Sequence, residues 1–249
     1  MKRSMLGILA FGIFLVCGCD QSANDAFERG VSACQKGDFD KAIADYTEAI
    51  RLDPTLAKAY CNRGLAYGKI VETDKAIADF TEAIRLDPTL VEAYYNRAAA
   101  YRSKGAFDTA IADYTEAIRL DPKLVQAYCN RGVAYGKIGE TDKEIADYTE
   151  AIRLDPKNAM AYCDRGVAYG KKGAADKEIA DYTDAIRLDP KLGQAYYNRG
   201  FAYDDNGDFD AAIANYNKAI RLNPKLAQAY YGRGAAYRSK GDFDTAIAG

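Results

Sequence analysis

Three kinds of side chain in this sequence could do chemistry: six cysteines, 36 carboxylates and an arginine that returns at a fixed interval, with no histidine anywhere. Without histidine, the usual general base, the usual proton shuttle and the commonest zinc ligand are missing. Serine and cysteine nucleophiles therefore lack a partner, no glycine-rich phosphate loop is present, and the paired acids recur as helix-surface charge. We assign no catalytic, metal-ligating or cofactor-binding residue and expect no enzyme. Asp204-Asp-Asn-Gly-Asp208 has the composition of a calcium loop, but its glycine comes too early for that spacing, and it is read as a turn. The net charge of -2 excludes a strongly basic nucleic-acid binder and names no partner.

Two cysteines belong to the start of the chain. Lys2 and Arg3 precede an apolar run from Leu6 to Val16, too short for the ~20 residues of a spanning helix and suited to a signal-peptide core. Gly18 directly before Cys19 resembles the lipobox of bacterial lipoproteins. The resemblance implies cleavage after residue 18, lipidation of Cys19, and a position in the bacterial cell envelope facing the periplasm or the exterior. Asp20 resembles an inner-membrane retention signal. Cys61, Cys129 and Cys163 share one column; helices ~8–10 Å apart hold such residues too far from one another for a disulfide, so they and Cys34 are expected as free thiols.

These columns exist because the chain repeats. Its six prolines, Pro54, Pro88, Pro122, Pro156, Pro190 and Pro224, are spaced 34 residues apart. With 1–18 as signal peptide and 19–22 as lipidated N-terminus and short linker, the repeats run 23–56, 57–90, 91–124, 125–158, 159–192 and 193–226, with a partial seventh at 227–249. A 34-residue period marks a helical solenoid, in which neighbouring units complete each other's core. Tyr60, Gly64 and Tyr67 fall on one face of a first helix, A. A turn follows, with glycine in most copies and Val71 in the second. The aspartate column of Asp40, Asp74, Asp108, Asp142, Asp176, Asp210 and Asp244 is placed to cap or favour a second helix, B, which ends before the Asp-Pro pair. The tyrosine columns of Tyr60, Tyr67 and Tyr114 are expected as core.

The spacing of Tyr60, Gly64, Tyr67, Ala76, Phe80, Ala83 and Pro88 resembles the tetratricopeptide repeat. The resemblance implies an all-α fold, a right-handed superhelical solenoid of antiparallel helix pairs. Two departures stand out. Glu144 and Glu178 occupy the small-residue column of Ala42, Ala76, Ala110, Ala212 and Ala246, where an unpaired carboxylate is costly; Lys143, Lys177, Arg131 and Arg165 are the expected partners, and removal of either carboxylate to alanine is expected to be neutral or stabilising. Arg29, Arg63, Arg97, Arg131, Arg165, Arg199 and Arg233 stand where the family often has an apolar residue, and an arginine–carboxylate ladder to the column of Asp79 and Asp113 is expected.

In this family the A helices line a concave groove, which makes the positions beside the core tyrosines candidates for partner binding. One column is Asn62, Asn96, Asn130, Asp164 and Asn198, with donors and acceptors for an extended peptide backbone. The next offers Tyr95, Tyr197 and Tyr231 beside the cysteines. Farther along lie Lys69, Arg102, Lys137 and Lys171, then Asp204 and Asp205. Lys58, Asn62 and Asn96 match part of the carboxylate clamp of chaperone-binding members, but Gln126 and Asn130 break it, so chaperone tails are not expected. The implied function is a membrane-anchored scaffold that binds a peptide or partner helix during assembly of a cell-envelope complex. The alternative is an accessory or oligomerising subunit that uses the convex face or the solenoid end. Neither reading needs nucleic acid, a small-molecule substrate or a cofactor.

Overall fold

The structure, a computed structural model, describes residues 9–242, with side chains from Gln21 onward. Among the described residues it has thirteen α-helices and no strand, in two compact units divided after Pro122. The first unit contains α1 (Leu9–Gln35), α2 (Phe39–Leu52), α3 (Ala57–Lys69), α4 (Thr73–Leu86), α5 (Val91–Ser103) and α6 (Phe107–Leu120). The second contains α7 (Val125–Lys137), α8 (Thr141–Leu154), α9 (Ala159–Lys171), α10 (Ala175–Leu188), α11 (Gly193–Asp205), α12 (Phe209–Leu222) and α13 (Ala227–Lys240). Cys19, Asp20 and the leader lie outside the residues whose side chains are described. So does helix B of the seventh repeat. The backbone of α1 runs through 19–22, where a linker was expected.

Within each unit every helix packs on the next. Odd-numbered helices also touch the following odd-numbered one, α1 on α3, α3 on α5, α9 on α11 and α11 on α13, and among the described residues no even-numbered pair does so to the same degree. Contact along one series alone places the odd-numbered A helices on the inner side of each unit's curve.

The core is built from small residues and one ring per helix B. Ala42, Ala76, Ala110 and Ala212 are buried where the helices cross, and Tyr46, Phe80, Tyr114, Tyr148, Tyr182 and Tyr216 are buried beside them. Full burial of such a ring contributes about 2–3 kcal/mol. The approach is close: a Cβ on Gly64 would lie 2.9 Å from the Phe80 ring, and only Ala98, one repeat later, places a methyl group at the corresponding crossing among the described residues.

Two expectations are sharpened. The A-helix tyrosines, such as Tyr60 and Tyr67, pack against the core but are half-buried, because each also flanks a charged group described below. Of the two roles open to the aspartate column, the second holds: Asp40 stands inside the first turn of α2, where it favours the positive end of the helix dipole, and does not cap it. The caps are Asp38 and Asp208, whose side chains accept from the Lys41 and Ala211 amides at 3.1 Å. The aspartates reach forward instead, Asp74 to Lys104, Asp142 to Lys172 and Asp210 to Lys240.

Candidate functional site

The arginine column forms a ladder. Arg63 donates to Asp79 through Nε at 2.8 Å and Nη2 at 2.7 Å, and through Nη1 to Thr47 at 3.0 Å. Arg97 repeats this with Asp113 and Thr81, and Arg165 with Asp181 and Thr149. Each guanidinium thus ties together its own A helix, its own B helix and the preceding B helix. Paired planar forks are the strong form of this bond. The A-helix tyrosines complete the box: the Arg63 guanidinium lies 5.5 Å from the Tyr60 ring centre and 6.0 Å from that of Tyr67. Hydrogen bonding to the buried Asp79 raises the Arg63 pKa and keeps it charged. The ladder weakens at Arg199, whose Nε meets the neutral Asn215 Oδ1 at 2.9 Å. This column is structural, and its burial leaves the inner faces of the A helices to other residues.

On those faces the asparagine column is half-buried and partly engaged. The Asn96 amide donates to the Glu92 carbonyl at 2.7 Å, and the Asn198 amide contacts Cys163 Sγ at 3.8 Å while its Oδ1 accepts from Gln194 at 2.7 Å. Asn62 lies against the Tyr46 hydroxyl, and Asn130 is half-buried on α7. Tyr95 packs edge-on against Tyr114 with ring centres 5.8 Å apart, and Tyr197 tilts on Tyr216 at 5.9 Å. Lys58, Lys69 and Lys137 are exposed, and Arg102 is half-buried, its Nε without a hydrogen bond. Cys61, Cys129 and Cys163 are free thiols, and burial pushes their pKa values up to about 12, 11 and 12. They are inert rather than nucleophilic.

The partner of Glu144 differs from the four expected. Lys171, from the end of the next A helix, donates to both carboxylate oxygens at 2.9 Å. Glu144 is 4% exposed, and Gly136 makes room for it, since a Cβ there would lie 2.4 Å from Oε1. Lys143 and Lys177 instead lie over the Tyr135 and Tyr169 rings. One repeat later the position of Lys171 is taken by Asp205. Glu178 therefore has only the Tyr182 hydroxyl, donating at 3.3 Å, and burial together with Asp205 raises its pKa. Asp164 on the same side is pushed up to about 6 by burial and by Glu144, against the pull of Lys171.

Two cavities open over this end of the second unit. One, of about 300 Å³, is lined by Lys171, Glu178, Tyr182, Asn198, Phe201 and Asp205 among others. The other, of about 480 Å³, lies between α11, α12 and α13 and is lined by Tyr197, Phe201, Asp204, Tyr216, Gln228, Tyr231 and Gly232. It repeats the place of the first cavity one repeat later, with one substitution in a column of its lining. Gly232 stands where earlier repeats have Asn62, Asn96, Asn130, Asp164 and Asn198. The Tyr216 hydroxyl, in a ring that is 0% exposed, has no hydrogen-bond partner, as is also true of the Tyr114 hydroxyl. Phe201 is 49% exposed. The break at Gly232 is visible in the sequence, but only the position of Tyr216 gives it meaning.

The helix pairs, their glycine-to-ring crossings and the 34-residue register match known families. The chain matches the tetratricopeptide repeat over 57–90, 80–112, 159–192, 193–226 and 215–248, and the TPR repeat over 32–71, 99–139 and 139–173. It belongs to the tetratricopeptide repeat family. Among solved tetratricopeptide structures, MamA is similar at 31% identity and a TM-score of 0.63, covering 65% of this chain and 95% of MamA. PilF of Pseudomonas aeruginosa is similar at 15% identity and a TM-score of 0.74, covering 88% of this chain and 99% of that one. YrrB, a TPR protein with an unusual peptide-binding site, is similar at 22% identity and a TM-score of 0.65, covering 76% of this chain and 97% of that one. At these identities PilF and YrrB share the fold alone. A tetratricopeptide solenoid is an interaction scaffold, and its partners are proteins or peptides.

Proposed function

We propose that this protein is a membrane-anchored, non-enzymatic scaffold that binds a peptide or partner helix on the inner face of its A helices and serves in assembly of a cell-envelope complex. The observation that carries the reading is the contrast between the two surfaces. The outer B helices are covered by exposed pairs within one turn, such as Glu48–Arg51, Glu82–Arg85 and Glu150–Arg153, which satisfy each other and need no partner. The inner face holds the cavities, the exposed Phe201, and Glu178, Asp204 and Asp205, which form no ion pair among the described residues. The peptide-binding site of YrrB and the pilus-biogenesis role of PilW, a similar structure, are consistent with such a use of the fold. Anchoring rests on the lipobox resemblance at Cys19.

In-cell crosslinking followed by mass spectrometry tests the scaffold reading, with Asn96→Ala plus Asn130→Ala as the discriminating variant. Partners should disappear with the double variant; partners that persist would instead indicate the convex face. Acyl-lipid labelling tests the anchor, since Cys19→Ala should release the protein from membranes.

A further inference from the structure

We propose that the cavity between α11, α12 and α13 receives a lysine or arginine side chain from the bound segment, so that the partner of this groove is a basic peptide. The inference rests on the groove reading above and specifies its chemistry.

Tyr216 provides the first argument. Its ring is 0% exposed and its hydroxyl has no hydrogen bond, an arrangement that proteins rarely leave uncompensated. Tyr216 borders the cavity beside Gly232; a Cβ at 232 would lie 2.7 Å from Tyr216 Cζ and 2.9 Å from its oxygen, so glycine alone leaves this side of the ring open. The oxygen is covered in the free protein, so a ligand that parts the cavity wall gains a hydrogen-bond acceptor there.

Charge provides the second. Asp204 lines the same cavity, and no ion pair or hydrogen bond joins it to a cation among the described residues. Burial and the adjacent Asp205 raise its pKa, so a cation brought alongside would relieve it. The adjoining cavity repeats the pattern with Glu178 and Asp205, while its one lysine, Lys171, is already held by Glu144. At the position of Asp205, α3, α7 and α9 carry Lys69, Lys137 and Lys171, whereas α5 and α13 carry Ser103 and Ser239, and Arg238 of α13 stands in the column of Asp204. The change of sign is confined to α11.

Aromatic faces provide the third. Tyr197, Phe201 and Tyr231 line the cavity, and aromatic rings attract ammonium and guanidinium groups while covering their aliphatic stems. Hydroxyl, carboxylate and rings together suit a long cationic side chain and exclude an acidic one. The shared wall of Tyr197 and Phe201 lets a second basic residue of the same segment reach the Glu178–Asp205 cavity.

The test uses the full-length chain and fluorescein-labelled Gly-Lys-Ala-Lys-Gly amide, its arginine form, its norleucine form, which has the same length without charge, and its glutamate form, read by fluorescence polarisation. The lysine and arginine peptides should bind, with the norleucine and glutamate peptides at least about tenfold weaker. Asp204→Asn should weaken the basic peptides by about tenfold. Tyr216→Phe is the decisive variant: it should raise the melting temperature of the free protein by removing an unpaired hydroxyl, yet weaken peptide binding. Equal binding of lysine and norleucine peptides, or Asp204→Asn and Tyr216→Phe variants that bind as the parent does, would overturn the cavity assignment while leaving the groove reading intact. No binding by any of these peptides also overturns it, and the crosslinked partner then decides the groove reading separately.

Discussion

At the scale of single residues, Val71 is the position under strain. It occupies the turn that glycine takes in the other described repeats, with φ of 66° and 81% exposure. A β-branched residue pays for that conformation and gains no burial in return, so Val71→Gly is expected to stabilise the protein by about 1 kcal/mol, measured by urea unfolding. Asp164 gives a pH signature. Its folded pKa of about 6 lies above the ordinary carboxylate value, so the folded state binds its proton more tightly than the unfolded chain. That contribution to stability is complete below the unfolded pKa, near 3.9, and is lost as pH rises through about 6. Asp164→Asn, the residue of the neighbouring repeats, should therefore raise stability at pH 7 by up to about 3 kcal/mol and have little effect at pH 4. Thermal melts at the two values check both size and sign. The turn residue was legible in the sequence as a break in a glycine column. The altered carboxylate was not, because its burial and the charge of Glu144 come from how the helices stack.

At the scale of helices, the Glu144–Lys171 pair predicts an asymmetry. Glu144 is nearly enclosed, with 5% of its side chain exposed, whereas Lys171 keeps 41%. Lys171→Met leaves a buried carboxylate unpaired and should cost about 3 kcal/mol, while Glu144→Ala returns a half-exposed lysine to water and should change stability by less than about 1 kcal/mol, as chemical denaturation of the two variants would show. The helices themselves were readable, because period, glycine and proline each mark a boundary. The partner of Glu144 was not readable: the sequence points to cations on the same or adjoining face, and the lysine that reaches it comes from the following helix A. The half-burial of the tyrosines was not readable for a related reason. Periodicity identifies the face a ring occupies, not whether alanine or a guanidinium lies beneath it.

At the scale of the whole chain, stability is distributed among neighbours, as in any stacked array. Arg165 binds Asp181 on α10 and Thr149 on α8, so Arg165→Leu should lower amide-exchange protection in α8, α9 and α10 and leave α12 and α13 protected. Hydrogen exchange by mass spectrometry resolves these helices; uniform loss over the second unit would show that the array opens all at once. The overall architecture was legible from the 34-residue period and its columns, and so was the change to Asp204 and Asp205, whereas the cavity beside them required the packing of α11, α12 and α13.

The ladder also bears on how such a gene changes length. Every rung joins residues at the same separation, so an in-frame loss of 159–192 would bring Arg199 to the place of Arg165, within reach of Thr149, and the joint would close as before. Two pairings would not survive. Asp205 would arrive where Lys171 had been and face Glu144 with a second negative charge, and Asn206 would replace Lys172 beside Asp142. Copies that are interchangeable as scaffold are thus made distinct, and kept in order, by two adjacent lysines.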